Sequence, residues 1–169
     1  MRCTLLLLSV SIMLQGVTLG QDRVPAQSEV LVELHQTEGW AATGIDMTMY
    51  KDGEVVFRPQ KLRKTFRGNI DAEKLKELQA LLTKLRACPK LEADYELTLL
   101  SDQPNARLRV ATEYDFDQYT VYGLSRWKPN TPGRDDATPA SQWPPVELFR
   151  LHYFLCQLKP QNVTEIAPE

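Results

Sequence analysis

Two short runs of alternating polarity meet at an Asp-Gly pair, and that arrangement commits the chain around it to an antiparallel hairpin. Ile45, Met47 and Met49 alternate with Asp46, Thr48 and Tyr50; Lys51-Asp52-Gly53-Glu54 follows, and then Val55-Val56-Phe57. A period of two puts one set of side chains on each face of a strand, whereas a helix would scatter them around its axis. Asp-Gly between such runs suits a type I′ turn, in which both central residues take positive φ and the twist matches that of the strands. In that geometry Lys51 and Glu54 stand opposite each other as an ion pair.

The same period recurs elsewhere. Val30, Val32 and Leu34 alternate with Leu31, Glu33 and His35, which predicts an earlier strand. A short strand is expected near Leu62 to Phe66. The run Tyr95, Leu97, Leu99 and the run Leu108, Val110 read as paired antiparallel strands, with a further strand at Tyr119 to Tyr122. Between these runs the period changes. Leu75, Leu78, Leu81, Leu82 and Leu85 recur at helical spacing. Asp71 is placed to cap the free amides, Glu73 suits the positive end of the dipole, and Ile70 and Leu75 form a hydrophobic staple. Pro89 ends this helix, because it lacks an amide donor and disfavours helical geometry at Cys88. Leu148, Leu151, Leu155 and Leu158 make a second stripe, widened by Phe149 and Phe154. Hairpins with segregated helices argue for an α+β fold: an antiparallel sheet of about six or seven strands carrying a central helix (71–86) and a C-terminal helix (146–158).

The ends and the one long connection bound the domain. Arg2, a short apolar run from Leu5 to Leu14, and the small residues Thr18 and Gly20 read as a secretory signal peptide, residues 1–20, cleaved before Gln21. That core is too short to span hydrocarbon, which takes roughly 20 apolar residues, so the expectation is a secreted or periplasmic protein with no membrane span. Residues 21–28 read as a flexible leader, 29–160 as a single α+β domain and 161–169 as a flexible tail. Within the domain, 125–145 is punctuated by Pro129, Pro132, Gly133, Pro139, Pro144 and Pro145. Loops longer than about 12–15 residues in compact domains are usually either functional or disordered.

Charge argues against nucleic acid as a partner. The formal net charge of −2 becomes −3 once Arg2 leaves with the signal, whereas a phosphate backbone calls for clustered positive charge. Lys61, Arg63, Lys64 and Arg67 form a short basic stretch soon balanced by Asp71, Glu73 and Glu77, and it reads as a solvated segment. Cys3 also leaves, so the mature chain keeps Cys88 and Cys156, a candidate disulfide if export is taken together with the right separation. The alternative is two buried thiols.

Catalytic motifs are absent from the sequence. It contains no His-Glu-x-x-His, no Cys-x-x-Cys, no Gly-rich phosphate loop and no Gly-x-Ser-x-Gly elbow. His35 and His152 have no second ligand at metal spacing, so no metal or other cofactor is expected. Cys88 or Cys156 with either histidine would be needed for a thiol nucleophile, yet each cysteine already has a structural explanation. The run Glu113-Tyr114-Asp115-Phe116-Asp117 lacks the Gly and Glu of an EF-hand loop, since Gln118 and Leu124 stand there; it reads as a polar strand connection. Asn162-Val163-Thr164 is a formal glycosylation sequon.

The strand Val30 to Leu34 followed by Glu38-Gly39-Trp40, the small residues to Gly44, the strand Ile45 to Tyr50, the helix capped by Asp71, the segment Asp94-Tyr95-Glu96-Leu97-Thr98-Leu99 and the Pro145-initiated helix together give a layout that resembles emfourin-type inhibitors of thermolysin-like metalloproteases. Those are small bacterial α+β proteins, and the resemblance implies a protein partner, an extracellular protease. The chain departs from that pattern in its export signal, its Asp52-Gly53 hairpin and its long proline-rich loop. The expectation is a secreted, non-catalytic protein that recognises another protein through exposed loops. Trp40, Arg126, Trp127, Lys128 and Trp143 supply the Trp and Arg anchors that dominate interfaces. Two alternatives stand beside it. One is an enzyme with a cryptic carboxylate or thiol site, which would show as a concavity gathering His35 or His152 with ionisable partners; the other is a structural envelope protein.

Overall fold

Register carries the alternation from strand to strand, so the apolar sets line up on one face. The computed structural model describes residues 29–39, 44–89, 91–96, 103–123 and 144–167. In chain order these form β1 (Val30–Gln36), β2 (Ile45–Tyr50), β3 (Glu54–Pro59), β4 (Thr65–Asn69), α1 (Ala72–Arg86), β5 (Asp94–Glu96), β6 (Asn105–Ala111), β7 (Phe116–Tyr122), α2 (Val146–Gln157) and β8 (Gln161–Ile166). The fold is α+β, with all strands in one eight-stranded sheet of order β5-β7-β6-β1-β2-β3-β4-β8. Leu34 pairs with Leu108 on one side and Met47 on the other, Met47 with Phe57, and Phe57 with Phe66, whose ring stacks on it. A parallel row runs through Val110, Val32, Met49, Val55 and Gly68.

Both helices cover that apolar face. Leu78, Leu82 and Leu85 of α1 and Leu148, Phe149, Leu151, Phe154 and Leu155 of α2 are buried in one core with the strand residues above. Asp71 caps α1 by accepting from the Lys74 amide. The helices run antiparallel, for the start of α1 flanks the end of α2, while Cys88, just past α1, reaches Glu147 at the start of α2. No described element covers the opposite face, which carries Glu33, His35, Asp46, Thr48, Arg58, Arg107 and Arg109.

Several expectations are corrected. The sheet has eight strands, and it is mixed, because β5 pairs parallel with β7 (Tyr95 beside Val121) and not antiparallel with β6. The acidic run is the reason: Thr112 and Asp115 close a tight turn, so β7 folds straight back along β6 and occupies the edge that β5 would need. The segment expected as a flexible tail holds β8, paired antiparallel with β4. The strand expected near Leu62 to Phe66 lies at Thr65–Asn69. The β2–β3 turn is not type I′. Gly53 has φ of 90° while Asp52 is not in the positive-φ region, and the Gly53 amide donates to the Tyr50 carbonyl. This is a three-residue loop, a turn centred on Lys51-Asp52 with Gly53 supplying the left-handed step. Asp52 turns back to accept from the Glu54 amide, and Tyr50, not Lys51, precedes Glu54 across the turn.

Candidate functional site

A groove of about 520 Å³ lies between the antiparallel helices, lined from the first part of α1 and the end of α2. Such a volume falls within the range of ligand-binding clefts. Its floor is apolar: Phe154 is buried, and Ile70, Leu81 and Leu158 are half-buried against the core. Its lips are charged. Asp71, Lys74 and Glu77 stand on the α1 side, with Arg150, Tyr153, Gln157 and Lys159 on the α2 side. The α1 charges are already engaged, because Asp71 caps the helix and Lys74 pairs with Glu77 at 2.7 Å while lying over the Phe154 ring. Tyr153 is 41% exposed, so an aromatic side chain stands at the α2 lip.

A polar cluster lies farther along α2, with His152 and Gln36 buried and Cys156 exposed at its edge. Residues 152 and 156 are one turn apart and face the end of β1, where Gln36 points into the core. His152 Nε2 lies 2.6 Å from Gln36 Oε1, and Cys156 Sγ lies 3.4 Å from His152 Nε2. The structure therefore does bring one cysteine and one histidine together. Burial pushes the His152 imidazole down to about 4 and the Cys156 thiol up to about 11. Both groups are held neutral at physiological pH, the reverse of the imidazolium–thiolate pair that an activated nucleophile uses. The cluster acts as a polar pin between α2 and β1.

Cys88 and Cys156 are both free. Cys88 contacts Glu147 through a Sγ–Oε2 approach of 3.6 Å, and burial together with the Glu147 charge pushes its thiol up. Cys156 lies nine residues farther along α2, about 13 Å at 1.5 Å per residue. A bridge needs Cα atoms within roughly 7 Å, so the candidate disulfide is not formed in this fold.

On the open sheet face, register places His35 between Arg107 of β6 and Asp46 of β2, with Arg58 of β3 beyond. His35 Nδ1 bonds Asp46 Oδ1. Arg109 pairs with Glu33 at 2.5 Å and lies over the Phe116 ring. A shallow concavity of about 310 Å³ gathers Glu33, His35, Asp46, Arg107 and Arg109. His35, which as a sequence feature looks isolated, thus has a carboxylate partner from the next strand, a pairing readable only once strand register is known.

Trp40, Arg126, Trp127, Lys128 and Trp143 lie outside the described residues, as do residues 1–20. Sequence reasoning missed the groove. Its floor belongs to the same leucine and phenylalanine stripes that build the core, and only the packing of α1 against α2 decides which of those residues line a groove. Among the described residues, no helix is long and apolar enough to cross a membrane. No family model, curated protein or solved structure matches the chain.

Proposed function

We propose that this is a secreted, non-catalytic binding protein that recognises another protein, and that the α1–α2 groove is part of its recognition surface. The groove carries the reading, since it joins an apolar floor, an exposed tyrosine and a charged rim on two rigid helices. Interfaces favour that combination of a desolvated centre and a polar margin. Trp40, Arg126, Trp127, Lys128 and Trp143 remain candidate anchors on sequence grounds alone, and inhibition of an extracellular metalloprotease is the specific form suggested by the emfourin-like layout. A photo-crosslinking residue at Tyr153, compared with one at Arg107 on the opposite face, tests this in the native secretome. One protein trapped from Tyr153 and not from Arg107 supports the reading, and inhibition assays follow if it is a protease. Crosslinks absent from both positions, or equal at both, count against it.

A second reading rests on the His35 concavity. A histidine held through Nδ1 by a carboxylate presents Nε2 as a proton acceptor, and Arg107, opposite it on β6, stands beside it to receive negative charge. Screening ester and phosphodiester substrates with the wild-type chain and with His35→Ala tests it. Turnover that survives His35→Ala, or none with any substrate, removes this reading.

A further inference from the structure

We infer that the groove between α1 and α2 takes an acidic amphipathic peptide, in which aliphatic or aromatic side chains on one face are flanked by carboxylates; this rests on the binding-protein reading above. The rim charges that are already paired leave a defined remainder. Lys74 and Glu77 neutralise each other at 2.7 Å, and Asp71 is consumed in capping the helix. Arg150 and Lys159 are exposed, and neither enters an ion pair with a described residue. Both stand on the α2 side of the groove. Among the described residues, the net unpaired charge at the rim is therefore positive and confined to one lip. Below it lie Phe154, Leu158, Ile70 and Leu81, an apolar floor that wants side chains and not charge.

A ligand complementary to this arrangement presents anionic groups toward α2 and an apolar ridge toward the floor. A volume of about 520 Å³ accommodates a few large side chains at once, which fits the i, i+3, i+4 anchors of a short helix laid between two helices. A basic amphipath would meet Arg150 and Lys159 as like charges, and desolvating them would cost more than the floor returns. Both cations sit at the rim, so they should set encounter rate and salt dependence more than residence time.

The test is selection of a random peptide library of about 12 residues against the full chain, followed by binding of the enriched peptides to two surface variants. The variants are the double substitution Arg150→Glu with Lys159→Glu, and Tyr153→Ala; all three positions are exposed, so folding should persist and circular dichroism checks it. The expected result is enrichment of sequences with Asp or Glu beside apolar residues. Their affinity should fall on the order of tenfold in the charge-reversed protein, should weaken as salt rises, and should also weaken in Tyr153→Ala. Neutral or basic enriched peptides that still lose affinity in Tyr153→Ala overturn the acidic ligand and leave the binding-protein reading standing. Enriched peptides indifferent to all these substitutions overturn the groove itself as the site. Oleate serves as a separate probe: binding of oleate, with no library peptide dependent on the groove, would replace the peptide with a small amphipathic anion and overturn the inference.

Discussion

Burying an imidazole beside an uncharged amide ties the folded state to pH. His152 is 6% exposed, and its pKa is pushed down from 6.5 to about 4 by burial. The unfolded chain therefore binds a proton between those values that the folded chain refuses. Stability from this group is complete above about pH 6.5, falls as pH drops toward 4, and is level below, with a total on the order of 3 kcal/mol. Carboxylates titrate in the same window, so the difference between wild type and His152→Gln is the informative quantity. Urea denaturation from pH 4 to 7 should show a flatter slope in the variant; equal slopes would mean that the imidazole is solvated in the folded state. At Gly53, φ of 90° is the constraint, and an added Cβ would sit 3.3 Å from the Ile70 carbonyl oxygen. Gly53→Ala is expected to cost about 1–2 kcal/mol by equilibrium unfolding, with the β2–β3 pairing retained.

At the level of elements, β8 is an edge strand with an exposed face, and Gly68 is what admits it. A Cβ at Gly68 would lie 2.9 Å from both the Gln161 carbonyl oxygen and the Pro160 Cβ. Gly68→Ala should therefore push β8 off the edge of β4. Hydrogen exchange would report this as lost protection over 161–166 with β2 and β3 unchanged; preserved protection there would show that the edge adjusts around the methyl. By contrast, the exposed Lys64–Glu165 pair should contribute within about 0.5 kcal/mol, since such pairs are solvated in both states. These two sites also show where sequence reasoning stops. The strands β1, β2 and β3 and the helix α1 are legible because burial on one face writes a period into the residues, and α1 even announces its first turn through Asp71. In β8 the side chains from Gln161 to Glu165 are all exposed, so there is no buried face to impose a period, and its pairing depends on a gap left by a glycine roughly 90 residues earlier in the chain. Tyr95 gives the same lesson from the other edge: the alternation around it marks a strand, but the partner is chosen by the tight turn at Thr112–Asp115 that returns β7 along β6. The groove was hidden for a related reason, because Leu81 and Phe154 read as core until the packing of α1 against α2 is known.

For the molecule as a whole, the antiparallel helix pair decides how the fold is held. With Cys88 against Glu147 at one end of α2 and Cys156 against His152 at the other, the helix itself keeps the thiols apart. Stability then rests on the shared core between the helices and the sheet, without a covalent staple of the kind that contributes typically 2–4 kcal/mol in small exported domains. Two consequences can be checked on one sample. Reductant should leave the thermal midpoint unchanged, and alkylation under denaturing, non-reducing conditions should label both Cys88 and Cys156. Under native conditions labelling should be slow at each, because both thiols are pushed up and held protonated. A midpoint that falls with reductant, together with a mass two hydrogens short and no alkylation, would mean that α2 packs in another register, one that brings residue 156 to residue 88. That outcome would also remove the groove, since its floor and its cationic lip both depend on the present register of α2 against α1.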